Sequence, residues 1–280
     1  MITSIIFSKD RPLQLDLCLN SIRTNFRDTN RVVVIEKYSE GYTESLETLK
    51  SEHPDVVFVK QSDSIYRDIM DVCAGYNKYT CFFTDDNIVF GETSFGSALD
   101  RIFGAPGVNC ISLRLGNNIT VRYHHGNKLD QHIGPHQIIE DYIFVPKTLY
   151  PYGNYWSYSH SVDGHIFRTE EVLDMFSEIE LLNQHFHYKQ TPNEVETQMQ
   201  RYWTISGNFI VCLPQSTVVN SPNNRVSDTH TENFSGEHFM YGPEFLLGKY
   251  LSGKRIALSL LDFSDISCPH QELNIIEALA

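Results

Sequence analysis

Apolar runs and helical stripes take turns along the first third of the chain, as they do where sheet strands are joined through helices. Residues 4–7 form a short apolar run that predicts a strand. Asp10-Arg11-Pro12 follows, with Asp10 able to cap a helix and Pro12 suited to its first turn. Leu15, Leu19, Ile22 and Phe26 then recur at steps of four, three and four, which puts an apolar stripe on one helix face. A strand at 31–36 contains the unbroken run Val32-Val33-Val34-Ile35, the pattern of a strand covered on both faces. Helices are predicted at 42–52 and 65–76, and strands at 56–59 and 79–84. The last of these runs straight into Asp85-Asp86-Asn87.

The pattern loosens beyond this point. It predicts a helix at 95–103 and a strand at 109–115. The segment 116–161 is rich in Asn, His, Gly and Tyr, with one apolar run at 142–145. A strand at 162–167 leads into a helix at 169–176, and Pro192 opens a helix at 193–203. A late strand at 209–213 precedes a polar loop at 220–234. Helices at 245–251 and 270–279 are predicted to flank a strand at 255–260. No linker divides the chain, so the expectation is one α/β domain over 1–280 with a mostly parallel central sheet flanked by helices and a C-terminal α+β extension. Its parts would be a nucleotide-binding half at 1–115, an acceptor-side half with a closing loop at 116–235, and the extension at 236–280.

Composition narrows the possible partners. The 280 residues are 41% hydrophobic, enough to bury a core, and the formal net charge is −13. With lysines and arginines scattered rather than clustered, that charge disfavours nucleic acid and anionic membranes. An acidic enzyme can still hold a nucleotide when a cation offsets the phosphates. The six cysteines include no Cys-x-x-Cys pair and lie mostly in apolar runs, so they read as reduced thiols packed as small hydrophobes. No segment reads as a signal peptide or a membrane span, and a cytoplasmic location is expected. The sequons at Asn118 and Asn233 would then be idle.

Candidate chemistry centres on Asp85-Asp86-Asn87 at the C-terminal end of a strand, where open α/β sheets hold ligands. One carboxylate could reach a divalent metal and the other a ribose hydroxyl, since Mg²⁺ and Mn²⁺ take oxygen ligands and leave positions for phosphates. An Asp-Asp-Asn turn closing a strand is the other reading. The turn Ser8-Lys9-Asp10-Arg11-Pro12, Glu36 at the end of the second strand, and the acidic pair would share one sheet edge.

In these features the chain resembles the GT-A glycosyltransferases, particularly family 2, closely over its first half and more loosely over its second. The resemblance implies a nucleotide-sugar donor held by Ser8, Lys9, Asp10, Arg11, Glu36 and Asp85. It also implies Mn²⁺ or Mg²⁺ on Asp85 and Asp86, with Asn87 departing from the further Asp of many relatives. By the same likeness, Asp163 in Val162-Asp163-Gly164 lies on the acceptor side. Glu194, then Glu196, are the candidates for the base that deprotonates an acceptor hydroxyl if the reaction inverts. Acidic residues in a first helical turn also suit the helix dipole without catalysis. Arg225 and His230 fall in a closing loop, as pyrophosphate contact and metal ligand respectively. Tyr155 and Trp156, within an aromatic cluster that includes Tyr150, Tyr152 and Tyr158, could stack on an acceptor sugar or simply pack. His124, His125, His132 and His136 have no partnering Cys and do not read as a zinc site. A nucleotidyltransferase on a similar sheet and a non-catalytic carbohydrate-binding relative are the competing readings. The first is disfavoured by the absence of glycine from Ser8-Lys9-Asp10-Arg11.

Overall fold

A computed structural model describes residues 1–75, 77–124, 127–147, 154–202, 209–226, 236 and 241–280. Its first half follows the predicted alternation: β1 (Ile2–Ser8), α1 (Pro12–Asn25), β2 (Thr29–Glu36), α2 (Thr43–Glu52), β3 (Val57–Lys60), α3 (Ile65–Cys73) and β4 (Tyr79–Thr84). Every residue of β1 is buried, as is the C-terminal half of β2, because both faces of these strands are covered. Pro12 opens α1 as predicted. Asp10 does not cap it: its backbone is left-handed (φ 53°), and its carboxylate takes the Ser39 N–H at 2.7 Å and the Ser39 hydroxyl at 2.6 Å.

The second half supplies β5 (Asn87–Val89), α4 (Ala98–Gly104), β6 (Val108–Ser112), β7 (Val121–His124), β8 (Asn127–Asp130), β9 (Gln137–Ile139) and β10 (Tyr142–Pro146). It continues with β11 (His165–Arg168), α5 (Thr169–Phe186), α6 (Pro192–Tyr202), β12 (Phe209–Cys212), β13 (Val218–Asn220) and α7 (Pro243–Leu251). Among the described residues, nine strands form one sheet in the order β3-β2-β1-β4-β11-β6-β12-β10-β9. Two of them, β11 and β10, run against the other seven. Helices α1, α2 and α7 pack with one another, and α3, α5 and α6 form a second group. Right-handed crossovers put these groups on opposite faces, since the winding reverses between β3 and β4. A mostly parallel central sheet flanked by helices is the GT-A-like arrangement that the resemblance implied. No helix among the described residues is long and apolar enough to cross a membrane.

The C-terminal expectation needs correction. Residues 255–260 form no strand beyond an isolated bridge between Ile256 and Leu279, with a short 3₁₀ turn at Leu258–Leu260. Residues 270–279 form no helix. Their apolar side chains Leu273, Ile275 and Ala278 are buried, but the backbone is held from outside. Asn220 N–H donates to the Pro269 carbonyl at 2.8 Å and Gln271 N–H to the Asn220 carbonyl at 2.9 Å. The tail is thus an irregular strap laid beside β13, and it brings His270 to the end of the sheet.

Candidate active site

β1 and β4 are neighbours, while β2 and β3 lie on the far side of β1. The crevice between β1 and β4 is therefore the point where the winding reverses, the usual ligand position in such sheets. Asp85 stands there, its N–H continuing the ladder to the Phe7 carbonyl at 3.1 Å. Asp85 Oδ2 accepts from the Ser8 hydroxyl at 2.9 Å and from Lys9 N–H at 3.1 Å. Its Oδ1 accepts from Arg11 Nη1 at 2.9 Å, and the same Nη1 donates to Asp86 Oδ2 at 2.8 Å. Strand alternation would point consecutive carboxylates apart. Because the chain turns directly after β4, both reach one guanidinium instead.

Behind this pair lies a second acidic centre that the sequence did not connect to it. Asp163 precedes Gly164, whose left-handed backbone (φ 68°) turns the chain into β11 against Val218, where a Cβ would meet that side chain at 3.1 Å. Asp163 Oδ2 accepts from Arg114 Nη1 at 3.1 Å and lies 3.3 Å from His270 Nε2. The Thr84 hydroxyl lies 2.8 Å from both Asp163 Oδ1 and Asp86 Oδ1, so its single proton links the two centres. Asn220 Nδ2 donates to Asp86 Oδ1 at 2.8 Å.

Burial raises the Asp85 carboxyl to about 6, with Arg11 opposing and Asp86 adding to the rise. Burial acts the same way on Asp163, but there His270 and Arg114 outweigh it and hold the carboxyl well below the usual range.

Asn87 also has a positive role. Its Oδ1 accepts the Thr84 N–H at 2.9 Å, closing the turn, and its Nδ2 donates to Asp163 Oδ1 at 3.2 Å. A carboxylate at 87 would instead face Asp163. Asn87→Asp is accordingly expected to destabilise the fold by about 1–3 kcal/mol, read as a lower urea midpoint with unchanged slope. An unchanged midpoint would mean that this amide does not serve Asp163.

Other candidates divide. Glu36 is buried at the end of β2, in register with Ser8, and its Oε2 accepts the Tyr38 N–H at 3.3 Å. Lys9 reaches the 221–226 loop, its Nζ donating to the Val226 carbonyl at 2.9 Å. Asp10 is committed to Ser39 and does not face the acid pair. Arg225 is exposed on the same loop, and His230 lies outside the described residues. Trp156 is fully buried, so its ring belongs to the core and cannot stack on a sugar. Asp163 is also unavailable to an acceptor, since both of its oxygens are bonded within the protein. Tyr155 is half-buried, with Arg114 5.5 Å from the centre of its ring. Glu194, the first candidate base, accepts from Gln198 at 2.6 Å. Glu196 stands nearer the cluster. Its Oε1 takes the Val162 N–H at 3.1 Å, and burial and then Asp163 raise its carboxyl while Arg114 opposes. Tyr150 and Tyr152 lie outside the described residues.

No family model matches the chain, and no curated protein matches it. Among solved structures, it is similar to S. aureus TarS 1–349, at 13% identity and TM-score 0.47 over 79% of this chain and 60% of that one. The chain thus spans three fifths of that relative. The UDP complex of the same fragment gives 12% and 0.47 over 90% and 72%. A 4-diphosphocytidyl-2C-methyl-D-erythritol synthase from Anaerococcus prevotii gives 11% and 0.45 over 90% and 96%. At these identities and scores, the likeness bears on neither substrate nor metal.

The implied divalent ion can be tested against the residues themselves. Each of the four oxygens of Asp85 and Asp86 already accepts a hydrogen bond, and a fixed guanidinium lies between the two carboxylates. Among the described residues, no group of three His, Cys, Asp or Glu side chains could hold a metal. The cavity beside the pair, bordered by Gln14, Asp86, Ser221 and Ile275, measures about 10 Å³, room for a single water. A cavity of about 290 Å³ lies near Val108, Arg168 and Glu171. It is at the opposite end of the sheet, because Arg168 pairs with Tyr79, the first residue of β4. In this arrangement the acid pair does not fit a divalent cation.

Proposed function

We propose that this chain is a nucleotide-sugar-dependent glycosyltransferase, with its donor at the β1/β4 edge and its acceptor toward Glu196 and Tyr155. The observation that carries this reading is the convergence of Ser8, Lys9, Arg11 and Asp85 at the reversal point of the sheet, beside Glu36. That edge offers the Glu36 carboxylate for ribose hydroxyls and a lysine and an arginine for a diphosphate. A diphosphate entering there must take over the bonds that the 224–226 segment makes to Arg11 and Lys9.

In the reaction, the acceptor hydroxyl oxygen attacks the anomeric carbon. The bond from that carbon to the diphosphate oxygen breaks, and the diphosphate leaves with the electron pair. Glu196 takes the acceptor proton. Its raised affinity for a proton matches that task better than an ordinary carboxylate would. The burial around Asp85 and Arg11 strengthens each charge interaction at the leaving group.

Turnover of UDP- and GDP-sugars, measured with a panel of hydroxyl acceptors, tests the reading. Glu196→Gln is expected to lower kcat about 10²–10⁴-fold while nucleoside diphosphate binding is kept. A larger loss in Glu194→Gln than in Glu196→Gln would return the base to Glu194. Absence of turnover and of any nucleoside diphosphate binding would overturn the proposal.

A further inference from the structure

The guanidinium of Arg11 has two working edges. Nη1 is spent on Asp85 and Asp86, at 2.9 and 2.8 Å. The Nε/Nη2 edge faces the other way, onto Asn224: Nε donates to Asn224 Oδ1 at 2.8 Å, and Nη2 donates to the Asn224 carbonyl oxygen. Here the side-chain and main-chain oxygens of one residue occupy the two N–H donors of the edge with which arginine forks onto a phosphate. Asn224 therefore holds the place of an oxyanion, and the carboxylates hold the fork in position behind it. Burial works against the charge on Arg11, and the two carboxylates outweigh it.

We infer that Arg11 is the resident cation of this site. Carried by the acid pair, it receives a diphosphate on its Nε/Nη2 edge once Asn224 withdraws, with no divalent metal between. Asp85 and Asp86 act as positioning residues for that guanidinium and are not metal ligands. The inference deepens the donor-site reading above and rests on it for the diphosphate. The carboxylate–arginine assignment can fail or hold separately.

The probes are Mn²⁺ alone and inorganic pyrophosphate in the presence of a chelator. Wild-type protein is expected to leave the free Mn²⁺ electron paramagnetic resonance signal undiminished up to millimolar concentration. It is expected to bind pyrophosphate equally with and without the chelator. Arg11→Met removes the fork and frees carboxylate oxygens, so pyrophosphate binding should weaken at least about ten-fold while Mn²⁺ binding appears. Arg11→Lys keeps the charge without the fork, and should recover part of the pyrophosphate affinity and none of the Mn²⁺ uptake.

The wild-type measurements decide the matter even if Arg11→Met does not fold. Sub-millimolar Mn²⁺ binding that is lost in Asp86→Asn, or pyrophosphate binding that requires Mn²⁺ or is absent altogether, would overturn the inference. Metal-free pyrophosphate binding through Arg11 without any sugar transfer would leave the inference standing and remove the glycosyltransferase reading.

Discussion

Asp163→Ala is expected to bring the protein close to unfolding, at a cost of about 3–5 kcal/mol, the range for breaking a buried ion pair from one side. A domain of ordinary stability has about 5–15 kcal/mol in total. The loss is large because Arg114 is 2% exposed and cannot turn to water. Its Nε is already buried without a partner, and the Asp163 carboxylate is what its Nη1 is bonded to at 3.1 Å. The same deletion leaves the Asn87 amide without its acceptor and removes one of the two side-chain partners of the His270 ring on the C-terminal strap. Urea unfolding of wild type and variant, compared at constant slope, measures the cost. Replacing both partners, as in Arg114→Met/Asp163→Leu, should recover much of it, because an apolar pair leaves no buried charge uncompensated. A cost below about 1 kcal/mol in Asp163→Ala would show that the cluster does not hold the sheet end together.

The two halves of the site differ in how far the chain discloses them. Ser8 to Arg11, Glu36 and the acid pair could be read in advance because each ends a strand with an unmistakable pattern, and parallel strands connected through helices put their ends on one edge. β4 occupies Tyr79–Thr84, the predicted residues. What the period of apolar residues does not carry is partner choice across long separations. Arg11 meets Asn224, Arg114 meets Asp163 and His270, and Asn220 meets Asp86, all between segments far apart in sequence. One signal was present for Arg114: an arginine inside Ile111-Ser112-Leu113-Arg114-Leu115 must be buried with a carboxylate or not buried at all. The place of the acid pair at the end of a strand, with the resemblance, points to a metal site, and the period of apolar residues does not show that Arg11, on the turn after β1, reaches both carboxylates. The C-terminal strap was misread for a related reason. Its apolar spacing reflects docking of an irregular segment against β13, and docking of that kind has no period. β5 and β13, at three residues each, are too short to show one.

Acidification from pH 7 to 5 is expected to destabilise the protein by about 2–3 kcal/mol, chiefly through two buried histidines behind the site. His165 is fully buried. Its Nδ1 lies 2.9 Å from the Ser159 carbonyl and its Nε2 2.8 Å from the Ser112 hydroxyl, an arrangement that a neutral ring satisfies at both nitrogens. Burial, with Arg114 adding, lowers its proton affinity to a value of about 3. Burial, with Lys147 and His165 adding, lowers His160 well below the ordinary histidine value. A group whose folded value lies below its unfolded one contributes stability that is full above the unfolded value, near 6.5, and is lost as pH falls. Each ring thus withdraws up to about 2 kcal/mol between pH 7 and 5. Asp85 acts in the opposite sense. Its value of about 6 exceeds the unfolded one, so its contribution is present in acid and lost as pH rises through 6, returning about 1 kcal/mol over the same interval. Asp163, held low, begins to withdraw stability only below about pH 4. The urea midpoint measured across this range should therefore fall toward acid, and His165→Gln should remove most of that fall. A midpoint that is level or rises between pH 7 and 5 would mean that these rings are protonated in the folded state despite their burial and the nearby Arg114 and Lys147.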